Sequence, residues 1–317
     1  MNNKQSHNLR ILASGDPNTH LHRLTPAQIL DRFGPPRRLL STSSKIEKSQ
    51  SVGVLTRVLY LTPGVFCPLA TDGCRRACLG HTSGRMQFHT HAQARDTRTA
   101  LFLENQDLFM KKLRAELTLL EADALQDGFT PAVRLNGSSD LAWERLYPEL
   151  FAEFSTMQFY DYTKLYARVL AFLDCTFPAN YHLTFSVDAH TTSKAIDLVR
   201  RGGTVAAVYW PSIPESWWDC PVIDGDKHDA RFLDPTGVVV ALRAKGLARV
   251  DLSGFTIRLC PRCGPDVPQL EQTSYTLDSH HRTLHRCGSC GFEVAAKWKY
   301  NASTFGSVCR ITTRQVA

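Results

Sequence analysis

Short apolar runs recur along this chain at nearly regular intervals. Val54–Leu61 comes first, followed by Ala132–Leu135, Met157–Tyr160, Tyr181–Phe185, Thr204–Tyr209, Pro221–Ile223 and Val238–Leu242. From the second run onward their starts lie about 17 to 25 residues apart, close to the length of a βα unit, so they read as buried parallel strands joined by helices. Two longer segments, Gln87–Glu104 and Asp107–Leu125, predict helices, and the second carries Leu108, Leu113, Leu117 and Leu120 at helical spacing. The pattern predicts an α/β fold of seven strands. Closed, it makes a partial (β/α) barrel or barrel-like parallel sheet; unclosed, it makes an open doubly wound sheet.

The ends of the chain do not share this rhythm. Residues 1–50 mix Pro, Ser, Asn and basic side chains; only Pro26–Phe33, capped by Thr25, predicts a helix, and Gly34-Pro35-Pro36-Arg37-Arg38 reads as a turn or linker. The expected organisation is a loosely packed basic arm over 1–50, with order beginning near Val52, a barrel-like domain over 51–257, and a small module over 258–317.

In parallel α/β folds chemistry gathers at the C-terminal ends of the strands, and polar clusters fall there in phase. Asn136-Gly137-Ser138-Ser139-Asp140 follows the second run, Asp161 and Lys164 the third, Ser186 and Asp188 the fourth, Trp210 the fifth, Asp224 and Asp226 the sixth, and Arg243 and Lys245 the seventh. Asp161 and Lys164 suit polar contacts to a substrate or an ordinary helix-start pair. Asp224, Asp226, Asp229 and Asp234 crowd one loop; they would bind a cation or share protons, or form an acidic turn neutralised by Lys227 and Arg231.

The first run is followed by Cys67, Cys74 and Cys78, spaced C-x6-C-x3-C on one loop. Thiolates favour zinc or the irons of an Fe–S cluster, and three are one short of a closed site. His81 would complete a zinc site; a substrate or cofactor would complete an open one; three ordinary thiols are the plain alternative. Near the C-terminus, Cys260-Pro261-Arg262-Cys263 and Cys287-Gly288-Ser289-Cys290 form two C-x2-C pairs, the spacing of a zinc ribbon whose ion supplies stability a small module cannot draw from a core. The remaining cysteines, Cys175, Cys220 and Cys309, are scattered and read as packing residues.

Charge adds an asymmetry. The chain of 317 residues has a formal net charge of +7; residues 1–50 hold 8 basic against 3 acidic groups and residues 260–317 hold 7 against 4, leaving the centre near neutrality. Basic ends and a zinc ribbon suit contact with nucleic acid, although solvated charged tails are the commoner explanation of such charge. No apolar run reaches bilayer length and the start lacks the apolar core of a signal peptide, so a membrane is not an expected partner and a cytoplasmic location is expected.

Several longer stretches carry a resemblance. Lys45-Ile46-Glu47-Lys48-Ser49, Cys67-Pro68 with Cys74 and Cys78-Leu79, Arg134 through Glu144, Phe159 through Lys164, Asn180 through Ser186, Val222 through Asp226 and Leu242 through Gly246 resemble a family of phage and prophage proteins related to gene product 88, over residues from about Lys45 to Phe255. A second similarity is to radical S-adenosylmethionine enzymes, whose three-cysteine loop after the first strand holds a [4Fe-4S] cluster with one iron left for the cofactor. That similarity implies an enzyme in which Cys67, Cys74 and Cys78 ligate the cluster, Asn136, Gly137, Asp140 and Ser186 contact S-adenosylmethionine, and Asp161, Lys164, Asp224 and Asp226 face the substrate. The superfamily's usual spacing is C-x3-C-x2-C, and the loop here is wider. The rival expectation is a non-enzymatic nucleic-acid-binding protein with two Zn2+ sites.

Overall fold

A computed structural model describes residues 19–264, 271–276, 282–299 and 310–315. The protein is a mixed α/β structure with a mostly parallel central sheet, and by contact it divides into two compact units. The first takes residues up to 70, 78–184 and 227–234; the second takes 71–77, 185–226 and 235 onward.

In the first unit the strands are β1 (Leu40–Ser41), β2 (Val54–Leu59), β3 (Thr130–Arg134), β4 (Gln158–Thr163) and β5 (Tyr181–Ser186), the last two residues of β5 being counted with the second unit. They lie side by side in that order. The β2–β3 and β3–β4 pairs are parallel, with Leu55 opposite Pro131 and Val133 opposite Phe159. The helices are α1 (Pro26–Phe33), α2 (His89–Glu104), α3 (Gln106–Gln126) and α4 (Tyr166–Leu173).

Alternation along the strands sends side chains to two faces. One face carries Leu55, Leu59, Val133, Leu135, Phe159 and Leu183 into a core with Leu101, Phe109, Leu113, Leu117 and Leu120 from α2 and α3; Leu108, expected on that stripe, is exposed. The other face carries Val54, Ala132 and Tyr160, covered by Ala230 and Phe232. These last belong to segment 227–234, which joins the first unit while its chain neighbours belong to the second.

The N-terminal region is better packed than its composition predicts. Thr25 and Gln28 form a reciprocal capping box on α1, Leu21, Ile29 and Leu39 are buried in the main core, and the Leu39 and Leu40 amides donate to the Glu116 carboxylate at 2.6 and 2.8 Å. Order therefore begins well before Val52, because a few apolar side chains are enough to seat residues 19–50.

The second unit holds β6 (Thr204–Trp210), β7 (Ser216–Trp217), β8 (Cys220–Asp224), β9 (Val239–Arg243), β10 (Thr256–Arg258) and helix α5 (Thr192–Arg200). β9 lies between β6 and β8, parallel to both; β10 pairs in parallel with the end of β6, and β7 forms a hairpin with β8. Beyond them β11 (Glu271–Thr276), β12 (Arg282–Arg286), β13 (Glu293–Lys299) and β14 (Arg310–Gln315) make a four-stranded antiparallel sheet.

All seven predicted strands form, but the barrel is a correction: among the described residues no pairing closes the sheet. β1 binds the outer edge of β2 antiparallel, and the outer edge of β8 is taken by β7. The edges that closure would need are occupied by two-residue strands.

Candidate functional site

In the first unit three loops meet at the C-terminal ends of β2, β3 and β4. The Gly137 amide donates to the Leu59 carbonyl at 3.0 Å and the Asp140 amide to the Phe66 carbonyl at 2.9 Å, so the 136–140 loop is laced to the chain leading into Cys67. The Cys67 thiol lies 3.7 Å from the Ser138 carbonyl oxygen. Behind Cys78, Gly80 sits so close to this loop that a Cβ there would fall 2.7 Å from the Ser138 Cβ and 2.9 Å from the Pro63 ring. Gly137 is held as tightly, with Val58 Cγ1 at 2.3 Å and the Leu59 oxygen at 2.7 Å from its notional Cβ.

Asn136 is the internal brace of that loop. Its Oδ1 accepts from Ser139 Oγ and the Leu141 amide, both at 2.9 Å, and from the Trp143 indole at 3.2 Å. Its Nδ2 donates to the Leu141 carbonyl at 2.9 Å and to Asp161 at 3.3 Å. Both donors and both lone-pair directions are thereby used, and Asn136 acts on anything bound here by shaping the loop.

Asp161 is 1% exposed and accepts from the Asn136 amide at 2.7 Å and the Tyr181 hydroxyl at 2.9 Å. Burial pushes its carboxyl up to about 7, against the opposing pull of Arg134 and these donors. Asp140 accepts from the Lys164 amide and from Arg168 Nη1, each at 2.9 Å; burial raises its carboxyl as well. Arg168 grips Glu144 with two parallel bonds at 3.0 and 2.7 Å. The structure therefore joins Asn136, Gly137, Asp140 and Asp161, and the Lys164 backbone, into one network. Cys67 and Cys78 belong to this unit; Cys74, whose amide donates to Thr71 Oγ1 at 3.2 Å, belongs to the other. All three thiols are half-buried and outside any disulfide.

Ser186, Asp224 and Asp226 lie in the second unit. Asp224 pairs with Arg243 at 2.9 Å and Asp226 with Lys245 at 2.7 Å, both on half-exposed cations; Arg243 holds the Asp224 carboxyl below its ordinary value against the opposing effect of burial. Asp224 and Asp226 are thus neutralised by Arg243 and Lys245, not by Lys227, while Arg231, which the sequence also pointed to, serves Asp234. Asp229 instead pairs with Arg134 at 2.8 Å, and Asp234 with Arg231 at 3.1 Å, on buried side chains. Sequence reasoning missed the Arg134–Asp229 pair and the burial of both pairs; an arginine inside the apolar run Ala132–Leu135 was the available signal for the first.

The four C-terminal cysteines form the clearest centre. Their sulfurs all lie within 4.8 Å of one another, with Cys260–Cys290 at 3.6 Å and Cys263–Cys287 at 3.7 Å. A tetrahedral ion with metal–sulfur bonds of about 2.3 Å spaces its ligands by about 3.8 Å, so the donor set fits one. Each C-x2-C pair ends in a left-handed glycine, Gly264 (φ 80) and Gly291 (φ 71), whose amide closes on the first cysteine's carbonyl at 3.0 Å. The amides of Ser289 and Cys290 point at the Cys287 sulfur and lower its thiol to about 6. Cys260, Cys287, Phe292 and Val294 pack with Trp210, Ala244 and Ala248, so the centre is built into the second unit's core. Cys309 lies outside the described residues; Cys220 is buried as expected of packing, and Cys175 is exposed.

These features define a class: a mixed α/β protein with a mostly parallel sheet and a four-cysteine centre able to hold a metal ion. The chain belongs to the gene product 88 family, which its residues 37–265 match. That match covers the α/β body and ends after the first C-x2-C pair. None of the curated proteins and none of the solved structures compared with the chain matches it, and the similarity to radical S-adenosylmethionine enzymes has no support there. No helix among the described residues is long and apolar enough to cross a membrane.

Proposed function

We propose that this protein is an Fe–S enzyme of the radical S-adenosylmethionine kind, working at the C-terminal ends of β2–β4, with a structural zinc at Cys260, Cys263, Cys287 and Cys290. The observation supporting it is the lacing of the cysteine loop to the 136–140 loop, and of that loop to Asp161 and the Lys164 backbone, at the strand ends where α/β enzymes keep their sites. Cys67, Cys74 and Cys78 would hold the cluster, since three soft donors outside any disulfide suit iron with one position left over. Gly137 and Asp140 would contact the cofactor, with Asn136 holding the loop in shape, and Asp161 and Lys164 would serve the substrate. The group itself would supply one-electron chemistry.

Anaerobic purification and reconstitution test this reading. The expected result is about four irons and four sulfides beyond the zinc, with visible sulfur-to-iron absorbance that Cys67→Ala abolishes. A colourless protein holding only zinc at both cysteine groups would end it. The second reading is a non-enzymatic zinc protein that binds nucleic acid through its basic C-terminal module. It draws on the exposed arginines beside the cysteine centre, Arg262 lying over Phe292 at 5.2 Å and Arg286 exposed on β12.

A further inference from the structure

The linker-like stretch after α1 does not stand away from the molecule. It folds against the side of α2 and encloses a groove of about 420 Å³. One wall is Thr90, Gln93, Ala94 and Thr97, a stripe at helical spacing along α2; the other carries Arg37 and Arg38, with Arg98 at the base. Phe33, Pro35 and Pro36 add an apolar side. No carboxylate lines it.

What surrounds the groove keeps it positive. Arg37 and Arg38 are exposed, and no described acidic group pairs with either. Arg98 is anchored, donating from Nε to the Arg38 carbonyl and from Nη2 to Ser41 Oγ, both at 3.0 Å, which fixes the Arg38 backbone at the rim. Of the nearby acids, Glu116 accepts the Leu39 and Leu40 amides and attracts Arg98, and Asp96 is buried and accepts from Thr19, His20 and Thr62; neither lines the groove, whose own charged side chains are all arginines. His91 on α2 is lowered by burial first and then by Arg95, Arg85 and Arg98, in keeping with the arginines along this side of the helix. The groove also reaches the first turn of α2, whose N-cap Phe88 offers no side-chain cap.

We infer that this groove binds a single-stranded nucleic acid, its phosphodiesters on Arg37, Arg38 and Arg98 and its bases against half-buried Phe33 and exposed Pro35. Guanidinium groups match phosphate geometry in pairs, amide and hydroxyl side chains along α2 supply further neutral donors, and a basic channel with an apolar wall is the usual platform for unpaired strands. The site is separate from the cysteine centres and holds whether or not a cluster is bound. It differs from the second reading above in placing the contact on the first unit.

The test is fluorescence anisotropy of the full-length protein with a labelled 20-nucleotide single-stranded DNA across a salt series, repeated for Arg37→Ala/Arg38→Ala and for Arg262→Ala/Arg286→Ala. Two lost phosphate contacts should lower the slope of log affinity against log salt by about 1.4 and weaken binding at least tenfold. Circular dichroism and zinc content unchanged in the first variant would show that it folds; both substituted side chains are exposed. Wild-type protein that binds no strand, or an Arg37→Ala/Arg38→Ala variant that keeps both affinity and slope, overturns the inference. A loss confined to Arg262→Ala/Arg286→Ala would overturn it in favour of the C-terminal module, and a duplex bound as tightly as the single strand would overturn the assignment to unpaired nucleic acid.

Discussion

Asp229 offers the sharpest test of how the first unit is held together. Its side chain is fully buried and its Oδ2 lies 2.8 Å from Arg134 Nη1, itself 12% exposed; Arg134 also lies over the Tyr162 ring at 4.8 Å and the Tyr160 ring at 5.9 Å. Asp229→Ala leaves a buried guanidinium without its counter-charge. Two unit charges about 4 Å apart attract by about 4 kcal/mol at an effective dielectric constant of 20, and removing one member of a buried pair typically costs about 3–5 kcal/mol. The two tyrosine faces keep about 1 kcal/mol of favourable contact with the cation, which places the expected loss near 3–4 kcal/mol. For a unit of this size each kcal/mol moves the midpoint by about 2–4 °C, so thermal unfolding should begin about 6–16 °C lower. Hydrogen exchange should localise the effect, with amides of 227–234 exchanging faster than those of β3. The double variant Arg134→Met/Asp229→Leu should recover most of the loss, because two apolar side chains do not need each other's charge. A single variant within 1 kcal/mol of wild type, with unchanged exchange over 227–234, would refute the claim that this pair is desolvated and pins the segment.

Three further outcomes follow from the same geometry. The Asp161 carboxyl, raised by burial to about 7, keeps its proton in the folded state between about pH 4 and 7 while the unfolded chain releases it; this group therefore lowers stability as pH rises through that window, and urea midpoints of Asp161→Asn measured from pH 4 to 8 should lack that fall. Gly137→Ala should destabilise the protein by about 1–3 kcal/mol in chemical denaturation and loosen the cysteine loop, because its Cβ would meet the Leu59 backbone oxygen, which cannot swing aside as a side chain can. Cys287→Ser/Cys290→Ser, or a strong chelator on the wild type, should release one equivalent of metal by elemental analysis and loosen the packing around Trp210, read as a red shift in tryptophan emission, since Cys287 shares that core.

What could be read from the sequence was what is local. The predicted runs became strands because their apolar side chains seek the core: β6 and β9 are buried along most of their length, as parallel strands covered on both faces are, while β8 is largely half-exposed and β5 carries His182 and Thr184 on one face. The cysteine knuckles were legible for the same reason: C-x2-C followed by Gly264 or Gly291 specifies a turn within five residues. Strands β1 and β7, two residues each, carry too little pattern to announce themselves.

The segment 227–234 misled in the opposite direction. With Lys227, His228, Asp229, Arg231 and Asp234 it reads as an exposed charged turn, yet Asp229, Ala230 and Arg231 are among the least exposed residues of the chain. Its charges are tolerable inside because their partners arrive from elsewhere or from the next turn, Arg134 from 95 positions away and Asp234 from three. The 136–140 loop shows the same logic at the candidate site. A run of Asn, Gly, Ser, Ser and Asp after a strand looks like a row of ligand-binding groups, but Asn136 and Ser138 spend their hydrogen bonds on the protein itself. Polar residues at a strand end therefore mark where a site is built without distinguishing the groups that touch its ligand from those that hold its walls. That distinction rests on how each side chain is spent, Asn136 on Ser139, Leu141 and Trp143 close by and Ser138 on Leu61 far back in the chain, which the residue types alone do not encode.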